Sequence, residues 1–212
     1  MSRQDLLRNA RLLLVTDPRP DLAARVAAAV RGGVDIVQLR DKHASREQLL
    51  PLASELKEIC EQAGALFTAN DDVELARLSN AHGVHLGQED EPVAGAREIL
   101  GPRAIIGRSA GTVEEALEAV REDADYLGVG TVYATPTKPD AAVTGLDLVR
   151  EVARLKLSVP WFAIGGVTLE TAREVAEAGA PGFAVVRAVL DADDPAAAAR
   201  ELRSYLERIP AR

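Results

Sequence analysis

Gln38-Leu39-Arg40-Asp41-Lys42 sets an arginine and a lysine two positions apart. The guanidinium is a bidentate fork and the ammonium a point charge, a combination suited to phosphate. Thr135-Pro136-Thr137-Lys138 is a second anion-binding candidate, with two hydroxyl donors and another ammonium. Between these clusters lie two acidic segments, Asn70-Asp71-Asp72 and Gly87-Gln88-Glu89-Asp90. Two carboxylates completed by phosphate oxygens and water are the usual surroundings of Mg²⁺, which makes Asp71 and Asp90 candidate ligands. Either aspartate also reads as a helix N-cap. Gly165-Gly166 would let backbone N–H groups come close to a phosphate. Cations for phosphate and a carboxylate pair for Mg²⁺ together point to a diphosphate ligand.

These residues recur at the ends of short apolar runs, and the runs imply the frame that gathers them. The runs are Leu12 to Thr16, Asp35 to Arg40, Ala65 to Asn70, Gly83 to Gly87, Ala104 to Ser109, Tyr126 to Thr131, Trp161 to Gly165 and Phe183 to Arg187. Ile36-Val37 and Ala184-Val185-Val186 are apolar on both faces, as strands of a covered parallel sheet should be. Helical patterns separate them. Leu22, Val26, Ala29 and Val30 share one helical face, opened by Asp21 and closed by Gly32-Gly33. Thr112 and Glu115 form a reciprocal capping box. Pro51 is expected to begin or restart the second helix after a turn at Ser45. The last helix starts after Asp194-Pro195, carries Leu202 and Leu206, and stops before Pro210. Eight strand-helix units predict an α/β fold, a single-domain (β/α)8 TIM barrel spanning residues 1–212. An open doubly wound sheet is the alternative, weakened because no Gly-x-Gly-x-x-Gly follows the first strand. In a barrel the C-terminal strand ends share one mouth, and there the polar groups named above collect.

Composition narrows the function classes. The 212 residues carry a net charge of −8, which argues against a nucleic-acid or anionic-membrane partner. No run approaches ~18 consecutive apolar residues, so no membrane span is expected. One cysteine and three histidines do not furnish a Cys/His zinc site. With no signal peptide in the first residues and no possible internal disulfide, a cytoplasmic location is expected. His82 and His85, three apart on a strand, fall on opposite faces and make a poor metal pair, although His85 can face a pocket. Cys60 and Trp161 read as packing. Small molecules are the expected partners, and a homo-oligomer is left open.

In their order, these segments resemble the thiamine-phosphate synthase (thiamine phosphate pyrophosphorylase) family, a (β/α)8 enzyme family. The resemblance runs from Val15-Thr16-Asp17 to the region of Pro195. It rests on Gln38 to Lys42, Asn70-Asp71, Gly83 to Asp90, Thr135 to Lys138, Ala163-Ile164-Gly165-Gly166 and Ala184-Val185-Val186. It implies that 4-amino-2-methyl-5-(diphosphooxymethyl)pyrimidine is joined to a thiazole phosphate, giving thiamine phosphate and diphosphate. By this resemblance, Gln38, Leu39, Arg40, Asp41, Lys42, Asn70 and Lys138 hold the pyrimidine diphosphate, with Ser109 beside it. Asp71 and Asp90 hold Mg²⁺. Thr135, Pro136, Thr137, Gly166, Val186 and Arg187 hold the thiazole phosphate, and Arg40, Lys42 and Lys138 stabilise the departing diphosphate.

The chain departs from the family pattern at Gly111, where a histidine is usual, at Thr131 and Ala134, where Pro is usual, and at Arg187, where serine is usual. Two related readings share the fold: a thiazole tautomerase, which relies on the strand-5 histidine, and a non-catalytic barrel that binds thiamine precursors. The diphosphate set is present and that histidine absent, the opposite of the tautomerase pattern.

Overall fold

A computed structural model describes residues 2–138 and 140–207. Eight strands, β1 (Leu12–Val15), β2 (Ile36–Leu39), β3 (Leu66–Asn70), β4 (Gly83–Leu86), β5 (Ile105–Ala110), β6 (Tyr126–Val129), β7 (Trp161–Ile164) and β8 (Phe183–Val185), close in sequence order into one parallel barrel. The helices are α1 (Arg3–Asn9), α2 (Leu22–Arg31), α3 (Arg46–Ala63), α4 (Val73–Leu78), α5 (Val93–Leu100), α6 (Val113–Arg121), α7 (Gly145–Leu155), α8 (Ala172–Glu177), α9 (Arg187–Leu190) and α10 (Pro195–Glu207). The expected (β/α)8 architecture is therefore observed, and closure by pairing of β1 with β8 excludes the open sheet.

Period-2 geometry divides each strand between two cores. Leu12, Leu14, Val37, Leu39, Phe67, Ala69 and Val84 face outward, against the helices. Leu13, Val15, Ile36, Leu66, Ile105, Tyr126, Phe162 and Ala184 face inward and fill the N-terminal half of the barrel. Leu7 of α1 and Ala10 join this inner cluster. The short leading helix, held by a Ser2/Asp5 capping box, thus covers the N-terminal opening. While Val15 on β1 and Ile164 on β7 stay apolar, the inner positions further along β2 to β5 are polar: Gln38, Thr68, Asn70, His85 and Ser109. In-register pairs Gln38–Thr68 and Asn70–His85 bring them to one level after another. Along β2 to β5 the inside changes from hydrocarbon to hydrogen-bonding groups within about two residues of strand.

Three local expectations change. Helix α3 does not begin at Pro51; it starts at Ser45, where the Ser45/Gln48 capping box satisfies both backbone donors, and continues through the proline. Pro51 and Glu47 are both exposed, so the carbonyl that loses its partner stays in water. At α6, Thr112 accepts from the Glu115 N–H, but the Glu115 carboxylate accepts from Gly111 N at 2.6 Å rather than closing a reciprocal box. Finally, Arg187 starts α9 instead of ending a strand. The expected stop at Pro210 lies outside the described residues. Cys60 and Trp161 are buried in the outer core, and burial pushes the Cys60 thiol up to about 12, which leaves it inert packing.

Candidate active site

The C-terminal ends of the strands surround a cavity of about 830 Å³. Its lining includes Gln38, Arg40, Lys42, Asn70, Asp71, Asp90, Ser109, Thr135, Pro136, Thr137, Lys138, Gly166, Val186 and Arg187. Two residues of the sequence-derived set fall elsewhere. Leu39, directed outward by its strand parity, is buried among the helices. Asp41 turns its carboxylate to the N–H groups of His43 and Ala44, at 2.9 and 3.2 Å, and shapes the loop before α3.

Arg40 is fixed from both sides. Its backbone N–H donates to Thr16 Oγ1 at 2.9 Å, and its guanidinium reaches the Thr137 carbonyl at 3.3 Å. That second contact joins the β2 loop to the Thr135–Lys138 loop across the mouth. Among the described residues, no carboxylate pairs with Arg40 or Lys138. Two cations in one cavity without counter-charges make a place where an anion gains more than water offers it. Gln38 Nε2 donates to Asn70 Oδ1 at 2.7 Å, which orients both amides at the cavity floor.

Neighbouring acids divide their tasks. Asp72 caps α4 by accepting from Leu75 N at 2.8 Å and pairs with Arg46. Asp71, one residue earlier, is left to face the cavity, held at φ 62°, a left-handed conformation that aspartate and asparagine tolerate better than most. Asp90 Oδ2 accepts from Gly87 N at 2.6 Å and lies within hydrogen-bonding reach of Asp71. Burial, then the adjacent Asp90 carboxylate, holds Asp71 above the usual carboxylate range, while Lys42 Nζ at 3.5 Å only partly offsets them. Two half-buried carboxylates in contact favour a cation between them. The donor set fits a hard divalent ion that keeps waters and takes phosphate oxygens. Among the described residues, no cluster of three or more His, Cys, Asp or Glu exists that would hold a metal by protein ligands alone.

The opposite wall is built from backbone. Gly165 and Gly166 follow β7 with φ of 100° and 62°. A methyl at Gly166 would sit 2.6 Å from Tyr133 Cβ, so only glycine allows the β6 and β7 loops to close together here. Arg187 is half exposed, with Nε 4.0 Å from Asp17 Oδ2, and adds charge at the rim.

His85, which the sequence left as an optional pocket residue, lies fully inside the barrel with Nε2 3.0 Å from Ser109 Oγ. Burial pushes its pKa down to about 4, so the ring is neutral. Thr168 also lines the cavity, as do Glu115, read from sequence as a capping residue, and Thr131, read as a departure from the family pattern. Strand parity could have indicated His85, since Gly83 and His85 share a face; the loop residues had no comparable signal. A second concavity of about 630 Å³ runs between α6 and α7 and shares Gly111, Thr112 and Thr144 with the mouth.

The pattern of the family described as thiamine monophosphate synthase matches residues 12–189. A thiamine-phosphate synthase of a Nostoc species is 47% identical over 207 residues, 98% of this chain and 59% of the relative. That of Thermobifida fusca is 48% identical and covers 94% of both chains. Among solved structures, a thiamine phosphate pyrophosphorylase from Pyrococcus furiosus superposes with a TM-score of 0.86 at 37% identity, covering 98% of this chain and 99% of that one. The chain thus spans 59% of the length of the Nostoc relative it matches.

Proposed function

Because the chain belongs to the thiamine monophosphate synthase family, we propose that it joins 4-amino-2-methyl-5-(diphosphooxymethyl)pyrimidine to a thiazole phosphate, releasing diphosphate and forming thiamine phosphate. The observation that carries this reading is one cavity holding two uncompensated cations, Arg40 and Lys138, beside the Asp71–Asp90 carboxylate pair. A diphosphate ester accompanied by a divalent cation matches that charge arrangement; a neutral or monoanionic ligand would leave part of it unmet.

Position supports each role that the family resemblance implies. Gln38, Asn70 and Ser109, on the inner faces of β2, β3 and β5, hold the pyrimidine end. Arg40, Lys42 and Lys138 receive the diphosphate and stabilise the negative charge that grows as the C–O bond breaks. Asp71 and Asp90 hold Mg²⁺, which when bound neutralises diphosphate oxygens. Thr135, Pro136, Thr137 and Gly166, with the backbone at Val186 and Arg187, hold the thiazole phosphate on the far wall. The thiazole nitrogen already carries a lone pair, so no residue is needed to deprotonate the nucleophile.

Direct turnover tests the proposal. Purified protein, the pyrimidine diphosphate, the thiazole phosphate and Mg²⁺ should yield thiamine phosphate on chromatography, and EDTA should abolish it. Folded protein that gives no product would refute the synthase reading. Activity unchanged by EDTA would refute the metal assignment alone.

A further inference from the structure

Three buried side-chain atoms lack a hydrogen-bond partner among the described residues: Thr68 Oγ1, His85 Nδ1 and Tyr126 OH. They form one group. A methyl on Gly107 would lie 2.2 Å from Tyr126 Cζ and 2.5 Å from His85 Nδ1, so the phenol and that nitrogen meet over a single glycine. The two rings are 5.4 Å apart between centroids and tilted by 41°. The Thr68 hydroxyl neighbours the phenol, and burial, the dominant influence, raises Tyr126 far enough to keep it protonated. On the other side of the imidazole, Nε2 is 3.0 Å from Ser109 Oγ. A neutral imidazole donates from one nitrogen and accepts at the other, so whatever fixes Nδ1 also fixes what Ser109 receives.

We propose that Tyr126 and His85 are positioning residues that aim the Ser109 hydroxyl: the Tyr126 O–H donates through one buried water to His85 Nδ1, so that Nε2–H donates to Ser109 Oγ. Ser109 then turns its own hydrogen toward the cavity and acts there as a donor. In the opposite tautomer Nδ1–H would donate toward the Tyr126 oxygen, and Ser109, giving its hydrogen to Nε2, would have only its lone pairs to offer the cavity. A donor there can meet a ring nitrogen of the pyrimidine end, which is an acceptor, whereas another acceptor cannot. Leaving three buried polar groups unpaired would also be costly, and this order satisfies His85 and Tyr126 together. The geometry is independent of the synthase reading; the consequence for catalysis rests on it.

The chain has only three histidines, so ¹⁵N-histidine labelling resolves them individually. Long-range ¹H–¹⁵N spectra of the unliganded protein at neutral pH should show His85 as a single Nε2–H tautomer. Ser109→Ala should leave that tautomer in place, and Tyr126→Phe should mix or reverse it. Phenylalanine keeps the ring that packs edge-on against Phe162, 5.9 Å between centroids, so the variant should melt as a folded protein. In turnover, Tyr126→Phe should lower kcat/KM for the pyrimidine diphosphate about three- to tenfold, the loss of one hydrogen bond. KM for the thiazole phosphate should not change. An Nδ1–H tautomer in the wild type, or an unaltered tautomer in Tyr126→Phe, would overturn the proposal. Wild-type protein without turnover would instead strike the synthase reading, with the tautomer spectrum still deciding the proposal.

Discussion

Replacing Asp71 by asparagine should damage activity and spare the fold, because this carboxylate is held under tension. Asp71 faces Asp90 within hydrogen-bonding reach, is half buried, and has its pKa raised, so its ionised form is less stable in the folded chain than in the unfolded one. Asparagine removes the like-charge repulsion and keeps the shape. It also accepts the left-handed backbone at φ 62°, whereas alanine there would add strain of about 1–2 kcal/mol and confuse the result. Lys42, 3.5 Å away and half exposed, loses a partner but stays in water, which costs little. Thermal melting should therefore show a midpoint equal to or above that of the wild type. Turnover should fall about 10²–10³-fold, or roughly 2.7–4 kcal/mol, the scale of losing one oxyanion-stabilising contact, here exerted through the cation that Asp71 would hold. A Mg²⁺ titration should need far higher concentrations for half-maximal rate. A variant that melts well below the wild type while keeping its Mg²⁺ dependence would refute the reasoning, since Asp71 would then be a structural cap.

Lys138→Ala should raise KM for the pyrimidine diphosphate at least tenfold and barely affect that for the thiazole phosphate; equal losses in steady-state kinetics would place the ammonium between the two substrates. Gly111→His meets ordinary contacts, with Glu115 Oε2 and the Gly130 carbonyl both 3.5 Å from the new Cβ, so activity should change less than about threefold, or ~0.7 kcal/mol. A gain of tenfold or more would show that the open position limits the enzyme. His82 has a pKa lowered chiefly by burial, and its Nδ1 accepts from Phe67 N at 2.8 Å, a bond that protonation destroys. Its contribution to stability is full above the unfolded histidine value of about 6.5 and is lost as pH falls below that range. Urea midpoints at pH 7.5 and 5.0 should separate by less in His82→Asn than in the wild type; an unchanged separation would remove His82 from the acid response.

The barrel was legible because its cause is periodic. Apolar runs alternating with capped helices leave few ways to bury both faces of eight strands, and each observed strand lies within about one or two residues of its expected run. Parity could have gone further: once Gln38 faces inward, Leu39 must face the helices, and Gly83 inward puts His85 inward as well. Asp41 could not be placed by parity, because the strand ends at Leu39 and its carboxylate answers to two nearby N–H donors. Pro51 misled for a similar reason. The cost of proline in a helix depends on whether the orphaned carbonyl meets water, which a sequence does not state. The convergence of Asp71 on Asp90 depended on Asp72 taking the cap, a choice among three adjacent polar residues settled by backbone geometry. Ser109, Arg40 and Lys138 were found because strand ends share one mouth, whatever lies between them in the chain.

Leu7 and the leading helix close the other end of the barrel, and the inner core beneath Gln38 and Ser109 is filled mainly by apolar side chains. The cavity is therefore a well with one opening, and traffic through it has an order. A molecule seated on the floor must arrive before one seated at the rim and cannot leave past it. On the proposed reaction, the pyrimidine end would enter first and the thiazole phosphate would close over it like a stopper. The joined product would withdraw rim-first, after diphosphate had left past Lys42 and Lys138 at the edge.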